Sequence, residues 1–442
     1  MHETAKHLLY GRKGTAALST SPVTGNSDLI RRLNRSIVLD LIRQRGPLSR
    51  ADVKRITGLN FTTVTNAVSD LAAAGLIKVV GLGTSKGGRR PLLLSLNPSG
   101  RYTLGCELQS TELAMGLYDL AGNLVSQVAK SKQPDAPPGE VVAQIVTCIN
   151  QVLDQASVSK DQVEGLGIAA PGPLNTRTGV MHLPPNMPGW CNVPLQRMLE
   201  EAVGLPVAVE KDGNVAALGE VWFGPGQGMR NLIFIIVDDG IGAGIITDGR
   251  LYRGSNDGAG EIGHTMIDLD GPQCSCGSFG CLEAIASGFA LARKARHAIR
   301  RGVKTSLAGA TDDEGAIGVR QLLNAAGEGD KLAEDLLDEC GRAVGIAVAN
   351  VINMYNPELI VLGGRLAQYS PAVLARAQEL GKARSFSVLS QDVKIIRSSL
   401  GDQFLMAGAA ALILARIFRG PMDHCSINAV NAYDQNPSVA PK

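Results

Sequence analysis

The sequence predicts a protein of two parts, a small, mainly helical unit followed by a large α/β body with two lobes. The chain has 442 residues, which is too long for one hydrophobic core. Residues 1–100 contain 15 Lys and Arg against 5 Asp and Glu, whereas the remaining residues contain 28 against 36. Apolar residues first recur at helical spacing and then follow alternating strand and helix patterns, which indicates two kinds of architecture.

We place the small unit at residues 29–98 and the body at residues 99–419. The ends, residues 1–28 and 420–442, are polar and lack periodicity, which is typical of flexible tails. A basic module on an acidic body indicates that the N-terminal part meets a polyanion. A basic surface without a partner would give the same charge count, so motifs have to decide between the two.

The small unit opens with an amphipathic helix that Gly46-Pro47 ends. Ser49, with Asp52 three residues later, predicts a capping box at the start of a second, short helix, and Gly58 predicts its end. A third helix starts at Asn60. The apolar residues of the first and third helices fall on one face of each: Leu33, Ile37, Val38, Leu41, Ile42, and Val64, Ala67, Val68, Leu71.

This order of helices is typical of a helix-turn-helix unit. Residues 76–98, LIKVVGLGTSKGGRRPLLLSLNP, predict two strands joined by a basic, glycine-rich tip, so the unit becomes a winged helix-turn-helix. Three-helix units also occur without nucleic acid, but the wing and the charge favour double-stranded DNA as the partner. Candidate DNA-binding residues are polar or basic: Arg50, Asn60, Thr62, Thr63, Thr65, Asn66, Lys86, Arg89 and Arg90.

The body contains two copies of one strand pattern, YTLGCELQSTELAMGLYDLAGNLV and NLIFIIVDDGIGAGIITDGRLYRG. A repeated unit of this kind predicts a duplicated fold with two lobes and a cleft between them. Such clefts bind small ligands.

The stretch HTMIDLDGPQCSCGSFGCLE combines three cysteines with a histidine. His264, Cys274, Cys276 and Cys281 form a set that suits tetrahedral zinc in a closed, structural site. A redox pair would need only two of these cysteines and would leave the others unexplained. The five remaining cysteines lie among apolar neighbours, so we expect buried, reduced thiols: Cys106, Cys148, Cys191, Cys340 and Cys425.

The runs GIGAGIITDGRLYRGSNDGAGEIGH and CSCGSFGCLEA resemble the signature of the ROK family, which contains sugar kinases and sugar-responsive transcriptional repressors. The resemblance covers about residues 100–415, and the N-terminal unit extends it to the repressor branch. It implies an actin-like or hexokinase-like body and one structural zinc per chain on His264, Cys274, Cys276 and Cys281. It also implies sugar-binding roles for Asn186, Asp212, Glu261, His264 and Glu283.

In the kinases of this family, the residue matching Asp212 is the base that accepts a proton from the attacking hydroxyl. Lys211 stands where the kinases commonly carry asparagine, so the sugar contacts of this chain differ from theirs. The first phosphate turn of the kinases is replaced by ELQST, residues 107–111, and the second reads VDDGIGAG. Asp238 and Asp239 in that second turn would repel a polyphosphate. We therefore expect ATP not to be a cofactor.

The sequence thus predicts a regulator without catalytic residues, most simply a repressor that binds operator DNA and responds to a sugar. An active sugar kinase with an added DNA-binding unit, and a repressor controlled by a protein partner, are the alternatives. We expect a homodimer or a dimer of dimers, because two-fold operators match paired binding units. No run of residues suggests a membrane span or signal peptide, so we expect a cytoplasmic protein.

Overall fold

The structure, a computed structural model, describes residues 27–84, 90–184, 186–310 and 317–419. Both predicted tails lie almost wholly outside these residues. So do Lys86 and Arg89 of the predicted wing tip and Cys425.

The N-terminal part contains three helices and a three-stranded antiparallel sheet in the order β1-β3-β2. The elements are α1 Ser27–Arg45, β1 Leu48–Ser49, α2 Arg50–Thr57, α3 Phe61–Ala73, β2 Ile77–Leu82 and β3 Leu92–Leu96. The capping box predicted at Ser49 is present, because the Ser49 side chain accepts from the Asp52 backbone N–H and the Asp52 side chain accepts from the Ser49 backbone. Gly58 ends α2 with a left-handed φ of 72°, a conformation that favours glycine.

The first lobe has a five-stranded sheet in the order β10-β7-β4-β5-β6. Its elements are β4 Tyr102–Leu108, β5 Glu112–Asp119, β6 Leu124–Ser131, α4 Pro138–Ala156, β7 Val163–Ala170, the short pair β8 Leu174–Asn175 and β9 Val180–Met181, α5 Leu195–Val203 and β10 Val207–Lys211. Strands β4, β5 and β6 are antiparallel neighbours, whereas β7 pairs in parallel with β4, and β10 pairs in parallel with β7.

The second lobe repeats this plan. Its sheet has the order β13-β12-β11-β14-β15, with an antiparallel β11-β12-β13 meander and parallel β14 and β15. After the linking helix α6 Asp212–Phe223, the elements are β11 Leu232–Val237, β12 Ile241–Thr247, β13 Arg250–Leu251, α7 Leu282–Ala286, α8 Gly288–Arg300, α9 Val319–Gly327, α10 Lys331–Tyr355, β14 Leu359–Gly363, α11 Arg365–Tyr369, α12 Pro371–Ala383, α13 Ser387–Ser390, β15 Lys394–Arg397 and α14 Phe404–Arg419. The internal duplication predicted from the sequence is therefore present in the strand order.

Helix α14 returns from the second lobe to pack on the sheet of the first lobe, on α6 and on α1. Its approach to the sheet is very close, since a Cβ at Gly167 would lie 1.8 Å from the Ala409 carbonyl oxygen. Contrary to the sequence-based expectation, one stretch, Gly401–Phe418, has the length and mean hydropathy, 1.4, of a membrane span. However, 61% of it is buried inside the protein, as in the core helix of a folded body.

The N-terminal part shares a core with the body. Leu39, Leu41 and Ile42 of α1 belong to one apolar cluster with Trp222 at the end of α6 and Phe418 near the end of α14. The Arg43 guanidinium lies 4.6 Å from the centre of the Trp222 ring and 5.3 Å from that of Phe418. The two parts are thus joined by packed side chains.

Candidate functional site

A cleft of about 2610 Å³ is lined by residues of both lobes. All five residues to which the family resemblance gives a sugar-binding role line this cleft: Asn186, Asp212, Glu261, His264 and Glu283. They come from four different places in the fold, namely an exposed loop, the first residue of α6, the segment around a short 3-10 helix and α7. The fold therefore brings together polar groups that are up to about one hundred residues apart in the chain.

Asp212 begins α6 where strand β10 ends. Its carboxylate accepts a hydrogen bond of 2.6 Å from the Gly213 backbone N–H. The Asp212 pKa is raised to about 6, mainly by burial and also by the carboxylates of Glu261 and Glu283, while the Gly213 hydrogen bond and Lys211 oppose the shift. At neutral pH this side chain is a half-buried carboxylate able to accept from a ligand hydroxyl.

Glu261 is already engaged, in a way that the sequence did not reveal. Lys211 Nζ donates to Glu261 Oε1 at 2.7 Å and to the Ala259 carbonyl at 2.8 Å. The Lys211 side chain is only 6% exposed. Lys211, which stands where the kinases carry asparagine, thus forms an ion pair between the two lobes. Its charge neutralises that of one acidic group of the cleft.

A second inter-lobe ion pair lines the same cleft. Arg253 Nε donates to Glu210 Oε2 at 2.8 Å, and the Glu210 side chain is only 2% exposed. Glu210 also accepts from Asn214 Nδ2 at 2.8 Å. Sequence reasoning missed Glu210 and Arg253, and the signal available was only their position beside Asp212 and within the second strand repeat.

The histidine and the three cysteines of the predicted zinc set converge. Their ligand atoms all lie within 4.8 Å of one another. His264 Nδ1 is 3.6 Å from Cys274 Sγ, and Cys276 Sγ is 3.8 Å from Cys281 Sγ. A Zn–S bond of about 2.3 Å in tetrahedral geometry separates two sulfurs by about 3.8 Å. The donor set and its spacing are therefore consistent with zinc.

The loop that carries these cysteines depends on Gly280. Its φ is 68°, and a Cβ at this position would lie 1.7 Å from the Asp268 carbonyl oxygen. The close approach brings Cys281 back beside His264 and starts α7 directly after it. Glu283, on the first turn of α7, accepts from the Ile241 backbone N–H at 3.0 Å. The four candidate metal ligands and Glu283 thus share a single short segment.

Asp238 and Asp239, in the stretch matched to the second phosphate turn of the kinases, line the cleft together with Glu107 and Arg365. Arg365 donates to Asp238 through Nε at 2.8 Å and through its backbone N–H at 2.7 Å, and Nη2 lies 2.7 Å from Asp239 Oδ2. Burial, together with the nearby charges of Glu112, Asp238 and Asp212, raises the Glu107 pKa to about 8. The two aspartates predicted to repel a polyphosphate are therefore held by Arg365, which sequence reasoning missed although it directly follows Gly363-Gly364.

The candidate DNA-binding residues occupy α2, α3 and the β2-β3 tip. Asn60, Thr62, Asn66 and Arg90 are exposed, and Arg50 and Thr63 are half-buried. Three candidates differ from the expectation of a free polar face. The Asn60 Oδ1 caps α3 by accepting from the Thr63 backbone N–H at 2.8 Å, and the Thr65 hydroxyl is buried. The Arg50 Nε is buried as well.

The remaining described cysteines are mostly buried, as expected, since Cys106, Cys148 and Cys340 lie in the core. Cys191 is the exception. It is exposed because it lies in the irregular loop before α5, where its apolar sequence neighbours turn inward without it.

Comparison with known proteins places the body in a family. The ROK family profile matches residues 103–416. The xylose repressor of Caldicellulosiruptor bescii is 31% identical over 397 residues, which cover 90% of this chain and 99% of that protein.

Two crystal structures show the same fold. A ROK family transcriptional regulator, a homologue of the Escherichia coli Mlc protein, has a TM-score of 0.75 and 32% identity, covering 89% of this chain and 98% of its own. A ROK family glucokinase from Streptomyces griseus, in complex with glucose and AMPPNP, has a TM-score of 0.62 and 30% identity, covering 70% of this chain and 98% of its own. These matches confirm the predicted sugar-kinase-like body. The chain belongs to the ROK family.

Proposed function

We propose that this chain is a sugar-responsive transcriptional repressor whose affinity for operator DNA falls when a sugar binds in the cleft. The observation that carries the proposal is the extent of the two structural matches. The glucokinase covers 70% of the chain, whereas the transcriptional regulator covers 89%. The ROK family profile begins at residue 103, so the greater coverage by the regulator supports a match that extends over the N-terminal helices and their small sheet.

The N-terminal part acts, in this proposal, as a winged helix-turn-helix of residues 29–98 in front of a body of residues 99–419. Helix α3 enters the major groove with its first turn, and the β2-β3 tip contacts the backbone or the minor groove. The charge difference between the two parts supports this arrangement. The DNA-binding residues are Arg50, Asn60, Thr62, Thr63, Thr65, Asn66, Lys86, Arg89 and Arg90, with Asn60 and Thr65 acting through capping and packing rather than through base contacts.

The sugar binds among Asn186, Asp212, Glu261, His264 and Glu283. Paired carboxylate and amide groups favour a polyol whose hydroxyls satisfy them, because a mismatched sugar leaves buried polar groups without partners. The Lys211–Glu261 pair, at 2.7 Å, gives this pocket an ammonium group beside the carboxylate. One relative of this chain, from C. bescii, is named a xylose repressor. A ligand screen should therefore include pentoses as well as hexoses.

Zinc on His264, Cys274, Cys276 and Cys281 has a structural role here. Four protein ligands close the coordination sphere and leave no open position for a reactive water. Because Nδ1 of His264 faces the sulfurs, Nε2 remains for a sugar hydroxyl, and the metal fixes the tautomer and direction of the ring.

We assign no kinase activity to the body. The Arg365 guanidinium bridges Asp238 and Asp239, and the stretch ELQST, residues 107–111, has no glycine where the first phosphate turn of the kinases is glycine-rich. A nucleoside triphosphate would have to displace Arg365, and the carboxylates of Asp238 and Asp239 would then repel its phosphates. Asp212 favours the alternative of an active kinase, so the activity has to be measured.

Helix α6 offers a route from sugar to DNA. It begins at Asp212 in the cleft and carries Trp222 in its last turn, where the Trp222 ring lies 5.7 Å from that of Phe418 and beneath Arg43 of α1. A shift of α6 on sugar binding would therefore move α1 and the helices packed on it. Coupling of this kind requires that the sugar binds the two arrangements with different affinity.

The protein acts as a homodimer or dimer of dimers in the cytoplasm.

The test uses purified full-length protein. Double-stranded DNA is selected from a random library by the protein, and its affinity is then measured with and without each of a panel of sugars that includes xylose, glucose and N-acetylglucosamine. A sugar at 100 times its dissociation constant should stabilise the protein by about 2.7 kcal/mol, and the same sugar should weaken DNA binding. Release of ADP from ATP in the presence of that sugar would support the kinase alternative. Stabilisation by none of the sugars, with DNA binding intact, would support control by a protein partner.

A further inference from the structure

The N-terminal turn of α3 carries a large apolar side chain on its surface. Phe61 is the first residue of the helix, directly after the capping residue Asn60, and it is 53% exposed. An exposed phenylalanine alone is ordinary on a protein surface. In the proposed function, the first turn of α3 lies in the major groove of DNA, so Phe61 would face the bases.

The polar groups of this turn are less available than their sequence suggests. The Asn60 Oδ1 is occupied by the Thr63 backbone N–H, and the Thr65 hydroxyl is buried. Thr62 and Asn66 remain as the exposed polar side chains of the first two turns. A surface with so few free polar groups reads base edges through hydrogen bonds at only a few positions.

The charge distribution indicates that the helices contact different parts of the DNA. Helix α3 contains no Lys or Arg, whereas α1 and α2 contain many of them. Cations on the flanking helices suit phosphates, which carry no sequence information, while the uncharged turn of α3 is left to face the bases. Phe61 is the bulkiest exposed group in that turn.

In the major groove, the apolar group that a base presents is the C5-methyl of thymine. Burying part of the Phe61 ring against this methyl would remove apolar surface of both partners from water, which stabilises the complex. We propose that Phe61 is a specificity-determining residue that selects thymine at one position of each half-site through its C5-methyl group. The inference rests on the proposed function, because it requires α3 to lie in the major groove.

The experiment removes only that methyl. Duplexes selected from a random library by the full-length wild-type protein are resynthesised with uracil in place of thymine, one position at a time, and binding is measured by fluorescence anisotropy. We expect one uracil substitution per half-site to weaken wild-type binding about 3- to 10-fold, and the same substitution to leave the binding of Phe61→Ala unchanged. Phe61→Leu, which keeps an apolar side chain, should retain part of the thymine preference.

The matched control is Phe386→Ala, because Phe386 is also an exposed phenylalanine, 66% against 53% for Phe61, and lies in the body. This variant should bind every duplex as the wild type does. Equal uracil effects in wild type and Phe61→Ala, or no effect of any uracil on the wild type, would overturn the inference while leaving the proposed function in place. Failure of the wild type to enrich any duplex would overturn both. A change of oligomeric state in Phe61→Ala, measured by light scattering, would assign Phe61 to a contact between copies and would also overturn it.

Discussion

At the scale of single residues, Asp212 combines a functional position with an energetic cost. Its pKa is raised from 3.8 to about 6, mainly by burial. A carboxyl group with a raised pKa in the folded state contributes stability that is full below pH 3.8 and is lost as pH rises through 6. At pH 7.5 the charged form therefore destabilises the fold, by up to about 3 kcal/mol at 1.36 kcal/mol per pKa unit.

We predict that Asp212→Asn stabilises the protein at pH 7.5 by about 1 to 3 kcal/mol and abolishes stabilisation by sugar. Denaturant unfolding between pH 4 and 7.5, with and without sugar, measures both effects. The stability gain should shrink as pH falls from 6 to 4, because the wild-type carboxyl then becomes neutral. Asp154→Asn, at an exposed position on α4, is the control and should change neither quantity. A gain that does not vary with pH would contradict the assigned cause.

The cysteine loop leads to a second prediction at the same scale. Cys276→Ser removes one of the four converging ligands, so zinc content measured by mass spectrometry should fall well below one per chain. Because His264 and Glu283 belong to the same segment, sugar affinity should fall about 10- to 100-fold as well, in line with the effect of disturbed metal surroundings. Cys191→Ser, at an exposed cysteine outside the cluster, should retain zinc and sugar affinity. Loss of stability with unchanged sugar affinity would mean that the metal is remote from the binding chemistry.

At the scale of elements, helix α6 connects the cleft to the N-terminal part. One of its contacts, that of Trp222 with Arg43, can be removed by a single substitution. The Arg43 guanidinium over Trp222, at 4.6 Å, is worth about 1 kcal/mol in a cation–π interaction. We predict that Arg43→Ala reduces the sugar-dependent change in DNA affinity about fivefold, while sugar affinity itself stays within twofold of the wild type. Titrations of DNA with and without sugar measure the ratio.

The variant Arg43→Lys separates charge from ring packing. It keeps the positive charge but loses the planar stacking of guanidinium on indole, so its coupling should lie between those of wild type and Arg43→Ala. If Arg43→Ala weakens DNA binding equally with and without sugar, Arg43 contributes to DNA affinity and not to coupling.

The elements themselves were largely predictable from the sequence. Caps such as Ser49 with Asp52, and turn glycines such as Gly58, act within a few residues, so local patterns indicate them. The strand repeat predicted the duplicated sheets for the same reason. The partners of Lys211 and Arg365 were not predictable, because Glu261 and Asp238 are respectively 50 and 127 residues away, and only the folded chain brings them together. The burial of the Thr65 hydroxyl was not predictable either, because the polar pattern assigns this position to the surface.

At the scale of the whole molecule, two ion pairs that line the cleft link the two lobes. Glu210, 2% exposed, depends on Arg253 for charge compensation across the lobe boundary. A buried charge that loses its partner is strongly destabilised, by about 3 to 5 kcal/mol. Glu210 keeps hydrogen bonds from the Lys211 backbone N–H and from Asn214, which places the expected loss at the lower end.

We therefore predict that Arg253→Ala lowers the free energy of unfolding by about 3 kcal/mol and increases the radius of gyration in small-angle scattering, because the lobes lose a link. Adding Glu210→Gln to this variant should restore much of the stability, since the unpaired charge is then removed, but not the compact shape. Arg230→Ala is the matched control, because its pair with Asp248 is 55% and 77% exposed, and exposed pairs contribute about 0 to 1 kcal/mol. If the double variant is no more stable than Arg253→Ala, the arginine acts through packing of its side chain, and the lobes are held together by other contacts.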